Sequence, residues 1–183
     1  LGMICIGVAD YTRCIKSEEG FNVYKLRDHC LKHKNLKDYN YGDTLDESEF
    51  FSQECFIVIP AAKELVIVDD NASKLNCKLI VEAANGPINM KAEEILLEKN
   101  IEIIPDILAN SGGVIVSYFE WLQNKRNEYW EEDFILAKLN KIMKTTFTDV
   151  YTKHKKDNIN LTTVCYGKAL TKIEKIILQK NMF

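Results

Sequence analysis

Basic charge, clustered metal ligands and glycine-rich phosphate turns are all scarce in these 183 residues, and each scarcity removes a class of function. Lys and Arg total 24 against 27 Asp and Glu, a net charge of −3, so the chain has no basic footprint and nucleic acid is excluded as a partner. Only three histidines occur. His29 and His33 stand at helical i, i+4 spacing with no third ligand in reach, which reads as a solvated helix face and no metal site. The six cysteines form no C-x-x-C pair, and several sit inside apolar runs where a reduced thiol acts as a small hydrophobe; a reducing, intracellular, cytoplasmic setting is expected. No apolar run approaches the ~18 residues of a membrane span, and the first residues lack the build of a signal peptide. The eight glycines contain no G-x-G-x-x-G spacing.

What is present is an ordinary globular composition, 46% hydrophobic and 28% charged, long enough to bury a sizeable core. Leu1 to Asp10 reads as the inside of a strand with no polar lead, so the chain is expected to be part of a larger protein. Met3–Val8, Cys55–Ile59, Lys78–Val81 and Ile101–Ile104 are short continuous apolar runs, the pattern of strands buried on both faces of a parallel sheet. Helices are expected from Asn22 to Asn35, from Asp69 or Asp70 to Leu75, and from Lys91 to Asn100 with Asn89 as cap. Residues 11–20 and 35–46 read as polar loops. Strands alternating with helices imply βαβ units with right-handed crossovers, whose ligands sit beyond the carboxyl ends of the strands. Asp10, Ala61, Ala62, Asn85 and Asn110 all fall at such ends, which points to a cofactor cleft.

The chain is organised around Ile103 to Asn124. After the apolar run ends at Pro105 come Asn110, Ser111, Gly112 and Gly113, residues that tolerate unusual backbone angles and can cap a helix. Val114, Ser117 and Trp121 then recur at spacings of three and four, lining up a methyl group, a hydroxyl and an indole on one helix face. The last third is helical. Ile135, Leu139, Ile142, Met143, Thr146 and Val150 mark one helix, Tyr166, Ala169, Leu170, Ile173, Ile176 and Ile177 a second, with a turn at 157–160 between them. Residues 1–127 are read as an incomplete dinucleotide-binding domain and 128–183 as a helical hairpin packing on it.

Pro105-Asp-Ile-Leu-Ala-Asn110, Gly112-Gly-Val114 and Val116-Ser-Tyr-Phe-Glu-Trp121 closely resemble the glutamate dehydrogenases of the hexameric type. Ile59-Pro-Ala-Ala62, Asn71-Ala72 and Glu82-Ala-Ala-Asn-Gly-Pro87 extend the likeness, as do Gly20-Phe21 and the final helix. Ala83 stands where the family has glycine; if that position needs a positive φ, its Cβ costs about 1 kcal/mol or more. The fold this implies is α/β: a partial Rossmann-like, doubly wound, mostly parallel sheet without its first strand and glycine fingerprint, followed by C-terminal helices.

The resemblance implies reversible oxidative deamination of L-glutamate to 2-oxoglutarate and ammonia with NAD or NADP, in a homo-hexamer. Asp10, Ala61, Ala62, Asn85 and Asn110 would form part of the coenzyme wall, with Asp10 on the adenine ribose. Val114 would pack on the glutamate methylenes and Ser117 would bond the side-chain carboxylate. The family's catalytic lysine and aspartate lie in a preceding domain, and no matching segment occurs here, so no catalytic residue is assigned. Two alternatives remain open: a branched-chain or aromatic amino-acid dehydrogenase of the same superfamily, and a non-catalytic nucleotide-binding or subunit-association module.

Overall fold

The computed structural model describes residues 2–180. Leu1, read above as part of a strand, and residues 181–183, the end of the helical segment, lie outside them. The chain is mixed α/β and divides into two interleaved units: one holds Leu1–Val58, Leu65–Lys78 and Ile88–Ile101, the other Ile59–Glu64, Leu79–Pro87 and Glu102–Phe183.

The first unit contains β1 (Gly7–Ala9), β2 (Cys14–Lys16), α1 (Val23–His33), β3 (Asp43–Leu45), α2 (Glu47–Ser52), β4 (Ile57–Val58), α3 (Asp69–Ala72) and, after the second unit's β5 (Leu79–Val81), α4 (Met90–Glu98). The opening run is not a strand of the parallel sheet: β1 pairs antiparallel with β2, and β2 with β3, in a separate three-stranded sheet. Met3 and Ile4 are 61% and 69% exposed, so the run lacks the two-sided burial its composition suggested. The two supposed loops contain β2 and β3. Their signal was short because β2 buries one side chain, Ile15, completely. Asp46 begins α2 with a reciprocal capping box to Glu49, a start signal the sequence carried unread. Parallel pairing persists in this unit as isolated bridges, Glu54 with Asn76 and Ile67 with Ile88.

The two asparagine caps stand where expected. Asn22 caps α1 by accepting from the Tyr24 and Lys25 amides, and Asn89 caps α4 by accepting from Ala92. For α3, the Val68 amide donates to the Asn71 side chain instead of an aspartate serving as cap. His29 and His33 stack at 4.4 Å with Tyr39 edge-on to His29; His29 is half-buried with its Nε2 covered, while His33 is exposed, so the expected solvated face holds for His33 and not for His29. Among the described residues no group of three or more His, Cys, Asp or Glu could hold a metal, and no helix is long and apolar enough to cross a membrane. All six cysteines are free, and burial pushes the Cys55 and Cys165 thiols up, away from thiolate chemistry.

The first unit's core is Ile15, Phe21, Leu26 and Leu36. Asp10 holds the turn that closes it. Its Oδ1 accepts from the Thr12 hydroxyl at 2.5 Å, the Thr12 amide at 2.7 Å and the Arg13 amide at 3.2 Å, and its Oδ2 accepts from the Leu36 amide at 2.7 Å. Partial burial pushes the carboxyl up, but the hydrogen bonds from Thr12, Leu36 and Arg13 outweigh it and hold Asp10 below the ordinary value.

The second unit contains β5, β6 (Glu102–Ile104), α5 (Asp106–Ala109), α6 (Gly112–Arg126), α7 (Glu132–Asp157) and α8 (Leu161–Lys180). β5 and β6 run parallel, Ile80 opposite Ile103. Residue 127, where a domain boundary was expected, lies in the turn between α6 and α7 with Asn127 in a left-handed conformation, and the second unit continues across it. Leu108, Val150, Leu161, Val164 and Cys165 form a core in which α7 and α8 close on α5, each buried aliphatic contributing about 1.5–3 kcal/mol. Phe119, Trp130 and Phe134 surround the Lys138 ammonium at 4.5–5.5 Å from their ring centres, fixing the α6–α7 connection.

Because Asp10 titrates lower in the folded chain than unfolded, its contribution is fully present above the unfolded pKa and disappears as pH falls through the folded one. Asp10→Asn should therefore lower stability at pH 7 by about 1–2 kcal/mol and converge on the parent in acid. Urea melts at pH 7 and pH 3 check this; a deficit that persists undiminished at pH 3 contradicts it.

Candidate functional site

Three segments of the second unit line one cavity of about 770 Å³. Its wall comprises Ala61, Ala62, Lys63 and Glu64 from the loop after Pro60, Ala83, Ala84 and Asn85 after β5, and Asn110, Gly113, Val114 and Ser117 from the α5–α6 passage. Six of the seven expected site residues, Ala61, Ala62, Asn85, Asn110, Val114 and Ser117, thus share one hollow. Asp10 lies in the other unit. Three of its contacts fall on Oδ1 and one on Oδ2, so Oδ2 keeps accepting capacity for a further hydroxyl.

The cavity is braced by polar groups at the strand ends. The buried Glu82 carboxylate accepts from the Asp106 amide at 2.8 Å, and Asp106 in turn accepts from the Gly86 amide at 2.8 Å. The Pro60 carbonyl takes the amides of Ala83 and Ala84 at 3.1 and 2.9 Å. Asn110 completes the arrangement: its Nδ2 donates to Asn85 Oδ1 at 2.8 Å and lies 3.3–3.4 Å from the Ala83 and Ala84 carbonyls. The three exits are thereby joined without a ligand.

The glycine pair differs from its expected role. Gly112 and Gly113 have ordinary negative φ, because the short helix α5 leads almost directly into α6 and no sharp turn intervenes. Ser111 makes no side-chain cap; its hydroxyl donates to the Leu108 carbonyl instead. A Cβ added at Gly113 would meet nothing within 4 Å. In a helix each glycine costs about 1 kcal/mol relative to alanine, and neither conformation nor packing in this chain compensates at Gly113. What its missing side chain leaves is open cavity beside the first turn of α6, where N–H groups have no intrahelical acceptor.

Ala83 is likewise resolved. It is not among the residues with positive φ; that conformation falls on Gly86, at 52°. The Cβ in place of the family's glycine therefore carries no backbone strain. Leu65 does: it follows the Ala61–Glu64 loop at φ 52°, a conformation costing a leucine about 1–2 kcal/mol. Val114 is 74% exposed and Ser117 is exposed, so both are accessible to a ligand. Lys63 and Glu64 were missed in the sequence, since next to Ala61-Ala62 they read as the polar start of a loop.

Parallel strands whose exits converge on a braced cavity at a helix N-terminus define a Rossmann-type α/β domain. Residues 1–180 match the family model described as Glutamate/Leucine/Phenylalanine/Valine dehydrogenase. The chain belongs to that family. It is 37% identical over 183 residues to the glutamate dehydrogenase of Thermotoga maritima, covering 100% of this chain and 44% of that one. Among solved structures it resembles the hetero-hexameric glutamate dehydrogenase of Thermus thermophilus in its Leu-bound form, with a TM-score of 0.86, 24% identity and coverage of 95% and 41%. It also resembles the glutamate dehydrogenase of Peptoniphilus asaccharolyticus, with a TM-score of 0.77, 29% identity and coverage of 100% and 42%. The chain thus spans less than half the length of these relatives.

Two substitutions test the bracing. Asn110→Ala should cost about 1–3 kcal/mol and speed amide exchange at residues 83–86, because the carbonyls it serves lose a donor. Unchanged exchange there contradicts the bracing role. Ala83→Gly should destabilise the chain by about 0.5–1 kcal/mol, as expected where φ is already negative. A stabilised Ala83→Gly variant in the same melt contradicts an unstrained Ala83.

Proposed function

We propose that this chain is the coenzyme-side portion of an NAD(P)-dependent glutamate dehydrogenase. The observation that carries the reading is the gathering of Ala61, Ala62, Asn85, Asn110, Val114 and Ser117 around one cavity. The donor set suits a nicotinamide nucleotide: short alanine side chains admit a flat ring, the open position at Gly113 leaves room, and the Asn85–Asn110 pair offers amide groups to ribose hydroxyls or a carboxamide. Bound there, the nicotinamide supplies a hydride acceptor or donor at C4.

The roles of this chain's residues are to bind and orient. Ala61 and Ala62 form the flat wall, with Asn85 held in direction by Asn110 at 2.8 Å. Asp10 is assigned to the adenine ribose on the family likeness alone. Val114 packs on the methylenes of L-glutamate and Ser117, one turn further along α6, donates its hydroxyl to the distal carboxylate. A site that hydrogen-bonds a distal carboxylate discriminates against apolar amino acids, whose side chains leave that hydroxyl unpaired. Proton transfer in such a reaction falls to a lysine and an aspartate outside this chain, and the complete protein is assigned as a hexamer.

The 183 residues alone should show no glutamate-dependent NAD(P)H formation at 340 nm and should bind coenzyme more weakly than micromolar by calorimetry. Robust turnover, or a sub-micromolar Kd, contradicts this division of labour. In the complete protein, Ser117→Ala should lower kcat/KM for L-glutamate about 10- to 100-fold while leaving L-leucine within about twofold. Equal losses on both amino acids contradict the carboxylate role.

A further inference from the structure

The cavity wall carries one cation, Lys63, and one carboxylate, Glu64; every other lining side chain is neutral. Lys63 makes no hydrogen bond or ion pair with any described residue, and it is not paired with Glu64. Lys63 is exposed at the cavity rim. Here it directly follows the two alanines assigned to the coenzyme wall, on a loop pinned at both ends. Pro60 is hydrogen-bonded to Ala83 and Ala84 at its start, and Leu65 holds a strained left-handed conformation at its end.

Resting on the coenzyme-cavity reading above, we propose that Lys63 is the binding residue on this chain for the coenzyme's phosphate groups. The ligand charge it must meet is substantial, since a nicotinamide dinucleotide carries a diphosphate. The 183 residues contain no G-x-G-x-x-G turn to supply backbone N–H donors for it. An unpaired ammonium on a fixed loop provides a point charge with three donors, which suits phosphate oxygens approached from varied directions. Glu64 opposes the same anion. The balance between the two side chains therefore tunes how tightly the wall holds an anionic ligand. The side chain is exposed and bears no structural contact, so its replacement leaves the fold intact.

The test measures binding by the full 183-residue chain, without turnover, using NMR or calorimetric titration of NAD+, NADP+, inorganic pyrophosphate and 2-oxoglutarate at low and high salt. Lys63→Ala should weaken both dinucleotides and pyrophosphate by about five- to tenfold in 50 mM salt. The gap should shrink toward nothing in about 0.5 M salt. Lys63→Arg should stay within about twofold of the parent, and Glu64→Gln should tighten binding. If the parent binds the dinucleotides and Lys63→Ala binds them equally well, the assignment to Lys63 fails while the coenzyme reading stands. A loss confined to 2-oxoglutarate also overturns it, since Lys63 would then recognise a carboxylate. If the parent binds neither dinucleotide at millimolar concentration, the coenzyme reading fails and takes this proposal with it. A melting temperature shared by parent and variants separates lost contact from lost fold.

Discussion

One side-chain amide holds the functional end of this molecule together. Asn110 reaches back from the α5–α6 passage to Asn85 and to the Ala83 and Ala84 carbonyls, while those residues' amides reach the Pro60 carbonyl. Three loops from three strand exits are thereby tied into one rim. Each bond contributes on the order of 1 kcal/mol net, but a lost partner would leave polar groups unpaired at larger cost, so the rim tends to be whole or open. The cavity's shape follows from that constraint. Glu82 and Asp106 reinforce it from behind by capturing the amides of Asp106 and Gly86.

A rim built this way is preorganised, and preorganisation is what a ligand that must be held in one orientation requires. The second unit's core lies directly behind it: Leu108, two residues before Asn110, packs with Val150, Leu161 and Val164. Apolar burial on α7 and α8 thus fixes the helix that presents Asn110, Val114 and Ser117. The glycines run the other way. Gly113 gives up helix propensity and fills nothing, leaving space at the first turn of α6.

Much of this arrangement was legible in the residues because the relevant signals are local. Asn22 and Asn89 announce helix starts, and an apolar run followed by Pro-Ala-Ala, or by Glu-Ala-Ala-Asn-Gly-Pro, announces a strand exit. Strand exits in parallel sheets point one way, so the convergence of Asn85, Asn110 and Ser117 followed from chain order. The first unit was harder. Of its three-residue strands β2 buries one side chain and β1 and β3 bury none, too little for a period of two to emerge, and pairing between Gly7–Ala9 and Cys14–Lys16 depends on a turn organised by Asp10, not on hydrophobic pattern. The ordinary φ of Gly112, Gly113 and Ala83 was equally invisible, since the backbone angle at a glycine, or at a residue replacing one, is set by what surrounds it. Lys63 escaped because its significance lies in the partner it lacks.

The hollow at the strand exits is proposed to receive a nicotinamide dinucleotide. Mapping amide chemical-shift changes across the 183-residue chain during titration with NAD+ and NADP+ tests it most directly. The largest shifts are expected at residues 61–64, 83–86 and 110–117. Shifts concentrated elsewhere on the chain, with those three segments silent, contradict it.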